Sequence, residues 1–195
     1  LSNYKFSRNE LLSNLNHKVQ VVEILDDAQR FKIKRKFKSF KKKKLNQKKF
    51  KIKKVFIKQI KKSSDPVILL GAGFIRSKNT IKLIKQIKKL NIKIACTWGG
   101  QSIQKYLSNK DGFVGIFGNH NPGSANENIK KSDLIIAIGC SLLQHQVGKD
   151  HDAFAPQSKI MFVNNDINEC KRAKYQFGKR LNYLNVIASD FISQI

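Results

Sequence analysis

Short apolar runs recur along the chain from Pro66 onward, each closing in a small or polar residue and most followed by residues with helical spacing. The first, Pro66-Val-Ile-Leu-Leu70, enters a Gly-x-Gly turn at Gly71–Gly73, and an amphipathic run from Ser77 to Leu90 follows. Ile92–Thr97, Asp133–Gly139 and Lys159–Val163 repeat the pattern, and Leu184–Ala188 is a shorter last run. Runs without polar alternation are the mark of strands covered on both faces. Helices are expected at Gln101–Leu107, at Gly123–Ser132 with Asn126 and Ile129 facing inward, from Ile167 to Lys171 onward, and from Asp190 onward. Gly112–Gly118, Gly-Phe-Val-Gly-Ile-Phe-Gly, reads as a glycine-spaced loop. The alternation of strand and helix predicts an α/β fold, a Rossmann-like doubly wound parallel sheet with helices on both faces.

The pattern changes before Pro66. Asn9–Leu15 has helical spacing and Val19–Leu25 is a run of β-branched residues ending at Asp26-Asp27. One helix and one strand cannot bury each other, so residues 1–29 read as the C-terminal tail of another α/β domain. Residues 30–64 read as a Lys-rich linker ending in a helix over Lys51–Lys62, with Val55, Phe56 and Ile60 on the face that packs on the sheet. Residues 65–195 are then the Rossmann-like domain. The chain starts at Leu1 and stops at Ile195 within a helical pattern, which reads as a piece of a longer protein.

Charge sharpens that division. Of a net +26, the stretch from Arg30 to Lys62 supplies 18 Lys or Arg and no Asp or Glu, which leaves +8 for everything else. The basicity belongs to a segment and not to the fold. A charge run of this kind is first a solvated linker. The sharper alternative is a phosphate-binding or membrane-surface patch, with Phe31, Phe37, Phe40 and Phe50 as apolar anchors. Cys96, Cys140 and Cys170 are widely spaced, which predicts reduced, buried thiols and a reducing, cytoplasmic setting. No apolar run is long enough for a membrane span.

Candidate chemistry gathers at the strand ends, where ligands of open α/β sheets lie. Here those ends are Gly71–Gly73, Thr97–Gly100, Gly139–Ser141 and Asn164–Asp166. Two readings stand side by side: a nucleotide-shaped groove with backbone N–H groups facing an anion, and ordinary tight turns, which use glycine anyway. The third glycine of a dinucleotide fingerprint falls at Arg76, and Thr97-Trp98 stands where an acidic ribose ligand is expected, so a nicotinamide cofactor or a sirtuin-like NAD domain is disfavoured. Asp150-His151-Asp152 with His145 matches no established metal-ligand spacing and reads as a surface loop. His120, within Asn119–Gly123, is a turn residue before it is a general base. Cys140 follows a strand end without a paired His and reads as a packing thiol. No residues are assigned to catalysis or to a metal.

The order of these motifs resembles the central domain of thiamine-diphosphate-dependent enzymes, within the acetolactate synthase-like group. The resemblance rests on Pro66-Val-Ile-Leu-Leu-Gly-Ala-Gly73, Gly115-Ile-Phe-Gly118, Ala125-Asn126, Ser132-Asp-Leu-Ile-Ile-Ala-Ile-Gly139, Phe154-Ala-Pro156 and Lys159-Ile-Met-Phe-Val-Asn-Asn-Asp166. Val22–Gln29 is similar to the end of that family's pyrimidine-binding domain. The resemblance implies a parent enzyme that uses thiamine diphosphate and Mg²⁺ to decarboxylate or ligate 2-oxo acids, as a homodimer or homotetramer. It implies a largely structural role for this domain, with the cofactor held by pyrimidine- and diphosphate-binding domains. Neither the activating Glu of the former nor the Gly-Asp-Gly…Asn motif of the latter is in this sequence, so the fragment alone is expected to be inactive. In some members the central domain binds FAD or ADP. Mapped here, that groove uses Gly71, Gly73, Thr97, Gly118, Gly139, Ser141 and Asp166. Ser141 stands where flavin-binding members carry Arg, Phe117 where they carry His, and Asn164 where they carry an acid, all of which count against a flavin. The competing reading is a Rossmann-like nucleotide-binding module whose basic segment engages nucleic acid or an acidic surface.

Overall fold

The computed structural model describes residues 51–52, 54–119, 121 and 123–195. The expected helix at Asn9–Leu15, the strand at Val19–Leu25, the basic run Phe31–Phe50 and His120 lie outside the described residues. In chain order the elements are α1 (Lys54–Lys62), β1 (Pro66–Leu70), α2 (Ala72–Ile75), α3 (Thr80–Lys88), β2 (Lys93–Cys96), β3 (Phe113–Ile116), α4 (Ser124–Lys131), β4 (Leu134–Ile138), α5 (Gln144–Val147), β5 (Lys159–Asn164), α6 (Ile167–Phe177), β6 (Leu181–Asn185) and α7 (Ala188–Ile192). A 3₁₀ segment, Trp98–Tyr106, stands where the short helix at Gln101–Leu107 is expected.

All six strands are parallel, in the order β3-β2-β1-β4-β5-β6. The chain first winds one way from β1 and then returns to add β4 on its other side, so the switch point lies between β1 and β4. This is the doubly wound sheet that the sequence predicts.

Strand alternation divides the core into two layers. Ile68, Leu70, Ile94, Leu134, Ile136, Ile138, Met161 and Val163 point to one face, where Phe74, Leu83, Ile84, Ile87 and Phe191 cover them. Val67, Leu69, Ala95, Ile135, Ala137, Ile160 and Phe162 point to the other, under Ala125, Ile129, Cys170, Ala173 and Phe177. Every residue of β4 is buried, which is why its sequence shows no polar alternation.

Four expectations are corrected. Gly112–Gly118 is not a loop throughout: Phe113–Ile116 is an edge strand, half-buried and paired on one side only, with an irregularity in register opposite Ile94/Ala95. The last strand is Leu181–Asn185 and not Leu184–Ala188. Its Asn182 and Asn185 face solvent at the other sheet edge, and the apolar Ala188 already belongs to α7. The expected helix from Ser77 to Leu90 is broken. Asn79 adopts a left-handed backbone (φ 60°) before α3, and the Thr80 hydroxyl donates to the carbonyls of Ile75 (3.0 Å) and Ser77 (2.8 Å). On α1 the face turned to the core carries buried Phe56 and half-buried Ile60, one turn apart, with buried Ile52 just before the helix, and Val55 is left 61% exposed.

Asp133 ties the connection before β1 to the start of β4. Its carboxylate accepts from the Ser63 hydroxyl, the Ser64 N–H (2.7 Å) and hydroxyl (3.0 Å), and the Asp65 N–H (3.1 Å). Partial burial opposes ionisation, but these four donors outweigh it and hold the carboxyl down at about 2. A depressed carboxylate contributes stability above its unfolded value, near 4, and loses it as pH falls through the folded value. Because the group is half-exposed, the contribution is discounted to about 1 kcal/mol. Asp133→Asn is therefore expected to lower stability by about that amount at pH 7, with the difference closing between pH 4 and pH 2. Urea denaturation at pH 7, 4 and 2.5 checks this, and a gap unchanged at pH 2.5 would contradict it.

Candidate functional site

The ends of β1 and β4 meet backbone to backbone at the switch point. Gly71 N–H donates to the Ile138 carbonyl (3.0 Å), Gly73 N–H to the Gly139 carbonyl (2.9 Å), and Gly139 N–H to the Val163 carbonyl (2.9 Å). A Cβ on Gly71 would lie 2.2 Å from the Gly139 carbonyl oxygen, and one on Gly139 would lie 2.3 Å from the Phe74 nitrogen. The glycines let two turns interlock, and the N–H groups that could have faced an anion are used within the fold.

The seven positions singled out from sequence are not brought to one place. Gly73 and Gly139 line a cavity of about 360 Å³ beyond the ends of β4 and β5, together with Arg76, Lys78, Asn164 and Asn165. Gly71 sits behind them against Gly139. Thr97 is buried, and its hydroxyl oxygen accepts from the Gly100 N–H (3.2 Å) to cap the 3₁₀ segment. Asp166 caps α6 by accepting from the Asn168 N–H (2.8 Å). The Ser141 carbonyl accepts from the Arg172 guanidinium. Gly118 lies in a second cavity, of about 370 Å³, with Asn126, Lys130, Gln146 and Phe154.

The motif residues have local structural duties. Asn126 reads Gly118 in both directions: its amide oxygen accepts from the Gly118 N–H (3.1 Å) and its amide nitrogen donates to the Gly118 carbonyl (3.0 Å). Phe117 is buried and packs 6.4 Å, ring to ring, from Phe154, which in turn lies 6.0 Å from Phe177. Asn164 donates from its side chain to the Cys140 carbonyl (3.1 Å), a bond an ionised Asp could not make. The Gln146 amide oxygen is buried without a hydrogen-bond partner.

The remaining candidates stay apart. All three cysteines are free and buried. Burial pushes the Cys96 thiol up to about 12 and Cys170 to about 11, and raises Cys140 as well. Cys140 donates to the Leu69 carbonyl (3.4 Å), as a packing thiol does. The Asp150 carboxylate accepts from the N–H groups of Asp152 (3.0 Å) and Ala153 (3.2 Å), closing a turn, and the His151 ring leans on Phe177. Among the described residues, no group of three or more His, Cys, Asp or Glu is placed to hold a metal ion.

Sequence reasoning passed over Arg172 and Arg180, which organise the loops beyond β4 and before β5. Arg172 holds the Ser141 carbonyl while pairing with Glu169 (3.2 Å), and Gln176 donates to the Leu142 carbonyl (3.0 Å). Arg180 donates to the carbonyls of His151 (3.3 Å), Asp152 (3.3 Å), Phe154 (2.6 Å), Ala155 (2.5 Å) and Ser158 (3.4 Å).

Residues 54–178 match the family model for the central domain of thiamine pyrophosphate enzymes. A probable acetolactate synthase large subunit of Methanococcus aeolicus is 31% identical over 69% of this chain and 21% of its own length. A similar protein of Methanocaldococcus jannaschii is 31% identical over 56% of this chain and 18% of its own length. The chain thus spans about a fifth of the length of these curated relatives. Among solved structures, benzoylformate decarboxylase from Polynucleobacter necessarius superposes with a TM-score of 0.53 at 18% identity, over 72% of this chain and 25% of that one. A 4-hydroxybenzoylformate decarboxylase of Rhodococcus jostii superposes with a TM-score of 0.51 at 15% identity, over 72% and 26%. At these identities the two structures show the fold.

Proposed function

The chain belongs to the thiamine pyrophosphate enzymes, whose central domain it carries, and from that premise we propose that it is the architectural middle of an acetolactate synthase-type enzyme acting on 2-oxo acids. The observation that carries this reading is the match over residues 54–178, which takes in α1 and the first five strands of the six-stranded sheet. We divide the chain into a pyrimidine-domain tail (1–29), a linker whose last helix docks on the core (30–64) and the central domain (65–195). The parent works in the cytoplasm as a homodimer or homotetramer. Among the described residues no helix is long and apolar enough to cross a membrane.

The described residues do not fit thiamine diphosphate itself. A diphosphate held through Mg²⁺ calls for clustered oxygen ligands, which the described residues do not group, and the turn N–H groups at Gly71 and Gly73 are already bonded. The cofactor, which when bound supplies the electron sink for decarboxylation, is on this reading held by other domains, and this chain alone turns over no 2-oxo acid. The test is pyruvate consumption with added thiamine diphosphate and Mg²⁺. No turnover by the 195-residue chain, and turnover once flanking pyrimidine- and diphosphate-binding domains are supplied, is the expected result. Turnover by the chain alone would overturn the assignment.

A specific observation favours a second ligand. The cavity holding Gly73, Gly139, Arg76 and Lys78 combines two cations with two asparagines at the strand ends, and its volume suits the ADP half of a dinucleotide better than a whole FAD. ADP is accordingly the nucleotide we propose for it over FAD.

A further inference from the structure

At the opposite end of the sheet, where β4, β5 and β6 begin, lies a groove of about 740 Å³. Lys58 and Lys62 of α1 form one wall, and Lys159 and Lys179 line it from the starts of β5 and β6. All four lysines are exposed. The ion pairs among the described residues use Lys88, Lys93, Arg172 and Arg180 instead. The carboxylate in the groove is that of Asp133, and both its oxygens are already occupied by Ser63, Ser64 and Asp65. It is ionised and offsets one of the four positive charges, and its oxygens are committed to those donors, so the groove keeps an excess of positive charge. Gln59, Gln157 and Asn182 add amide donors that no hydrogen bond engages among the described residues.

Four like charges held in one concavity repel one another, and their fields add at its centre. A compact ligand with several adjacent negative charges relieves that repulsion. A single carboxylate or phosphate does so poorly, because it reaches one or two lysines at a time. Lysine is a flexible point charge and suits a run of phosphates better than the planar fork of a carboxylate, which arginine matches. The groove volume lies in the range of small-molecule sites.

We propose that this groove binds a polyphosphate chain, inorganic or carried by a nucleotide, at the end of the sheet remote from the switch-point cavity. The inference is independent of the reading given above for the whole enzyme.

Differential lysine acylation on the full chain at low salt tests it, with tripolyphosphate and ATP as probes. Each probe is expected to slow acylation of Lys58, Lys62, Lys159 and Lys179 at least fivefold, and of Lys82, Lys85 and Lys105 less than twofold. Uniform protection, or none, overturns the proposal. A second measurement is calorimetric titration of tripolyphosphate into the K58Q/K62Q/K159Q/K179Q variant and into a K82Q/K85Q/K89Q/K105Q control. The groove variant should bind at least tenfold more weakly than the parent chain and the control within twofold. Equal losses in both variants would show charge without a site and overturn it. Equal groove protection by ATP and tripolyphosphate assigns the inorganic chain as sufficient, and stronger protection by ATP assigns a nucleotide as the source; both support the site.

Discussion

Gly139→Ala is expected to cost about 3–5 kcal/mol, a large part of what a domain of this size has to lose. The residue sits at φ 62°, where a side chain adds about 1–2 kcal/mol of backbone strain. The added Cβ would stand 2.3 Å from the Phe74 nitrogen and 2.6 Å from the Gly73 carbonyl carbon. Both are backbone atoms anchored by bonds to neighbouring turns, so neither can swing aside as a side-chain tip would. Relief would require parting the β1 and β4 ends, with loss of the Gly73-to-Gly139 hydrogen bond. Gly123→Ala is the control: its Cβ would meet nothing within 4 Å and its φ of 170° is ordinary extended backbone. It should stay within about 1 kcal/mol of the parent chain. Urea denaturation of the two variants checks the pair. Near-equal midpoints would show that the two turns separate freely.

The same two turns explain why the fold was more legible than the site. Buried parallel strands announce themselves, and β1, β4 and β5 read directly because their residues have no solvent face to encode. The edges read poorly. β3 carries a glycine, Gly115, that breaks its apolar run, and β6 alternates apolar residues with asparagines, so the apolar weight drifted to Val186 and Ala188, past its true end. The break before α3 depends on Asn79 adopting a left-handed backbone and on Thr80 turning its hydroxyl back to two carbonyls, choices that helical periodicity does not record. At the candidate site, glycine at a strand end signals close approach but not what approaches. Gly71 and Gly139 approach each other. Asp166 and Thr97 were chosen for their position beyond a strand, and both spend their oxygens capping the helical segment that follows.

Arg180→Ala is expected to free the loop from His151 to Ser158 and to cost about 2–4 kcal/mol, the sum of several charge-assisted hydrogen bonds less what water restores. Arginines carry no periodic signal in a chain this basic, so nothing in the sequence marks Arg180 out from its neighbour Lys179. Its guanidinium nevertheless reaches five carbonyls of one loop, among them that of buried Ala155, which is itself held at φ 47°. This gives the Phe154-Ala-Pro156 sequence its physical sense. The turn places Phe154 between Phe117 and Phe177, and the arginine satisfies the carbonyls the turn leaves pointing inward. Only a planar fork with five donors can serve so many acceptors, so Arg180→Lys should recover less than half of the loss. Hydrogen exchange separates this from general destabilisation. The Ser158 amide, bonded to the Ala155 carbonyl at 2.9 Å, should lose protection well before the amides of β1 and β4. Equal loss in the loop and in the central strands would show that Arg180 acts on the whole core and not through the loop it grips.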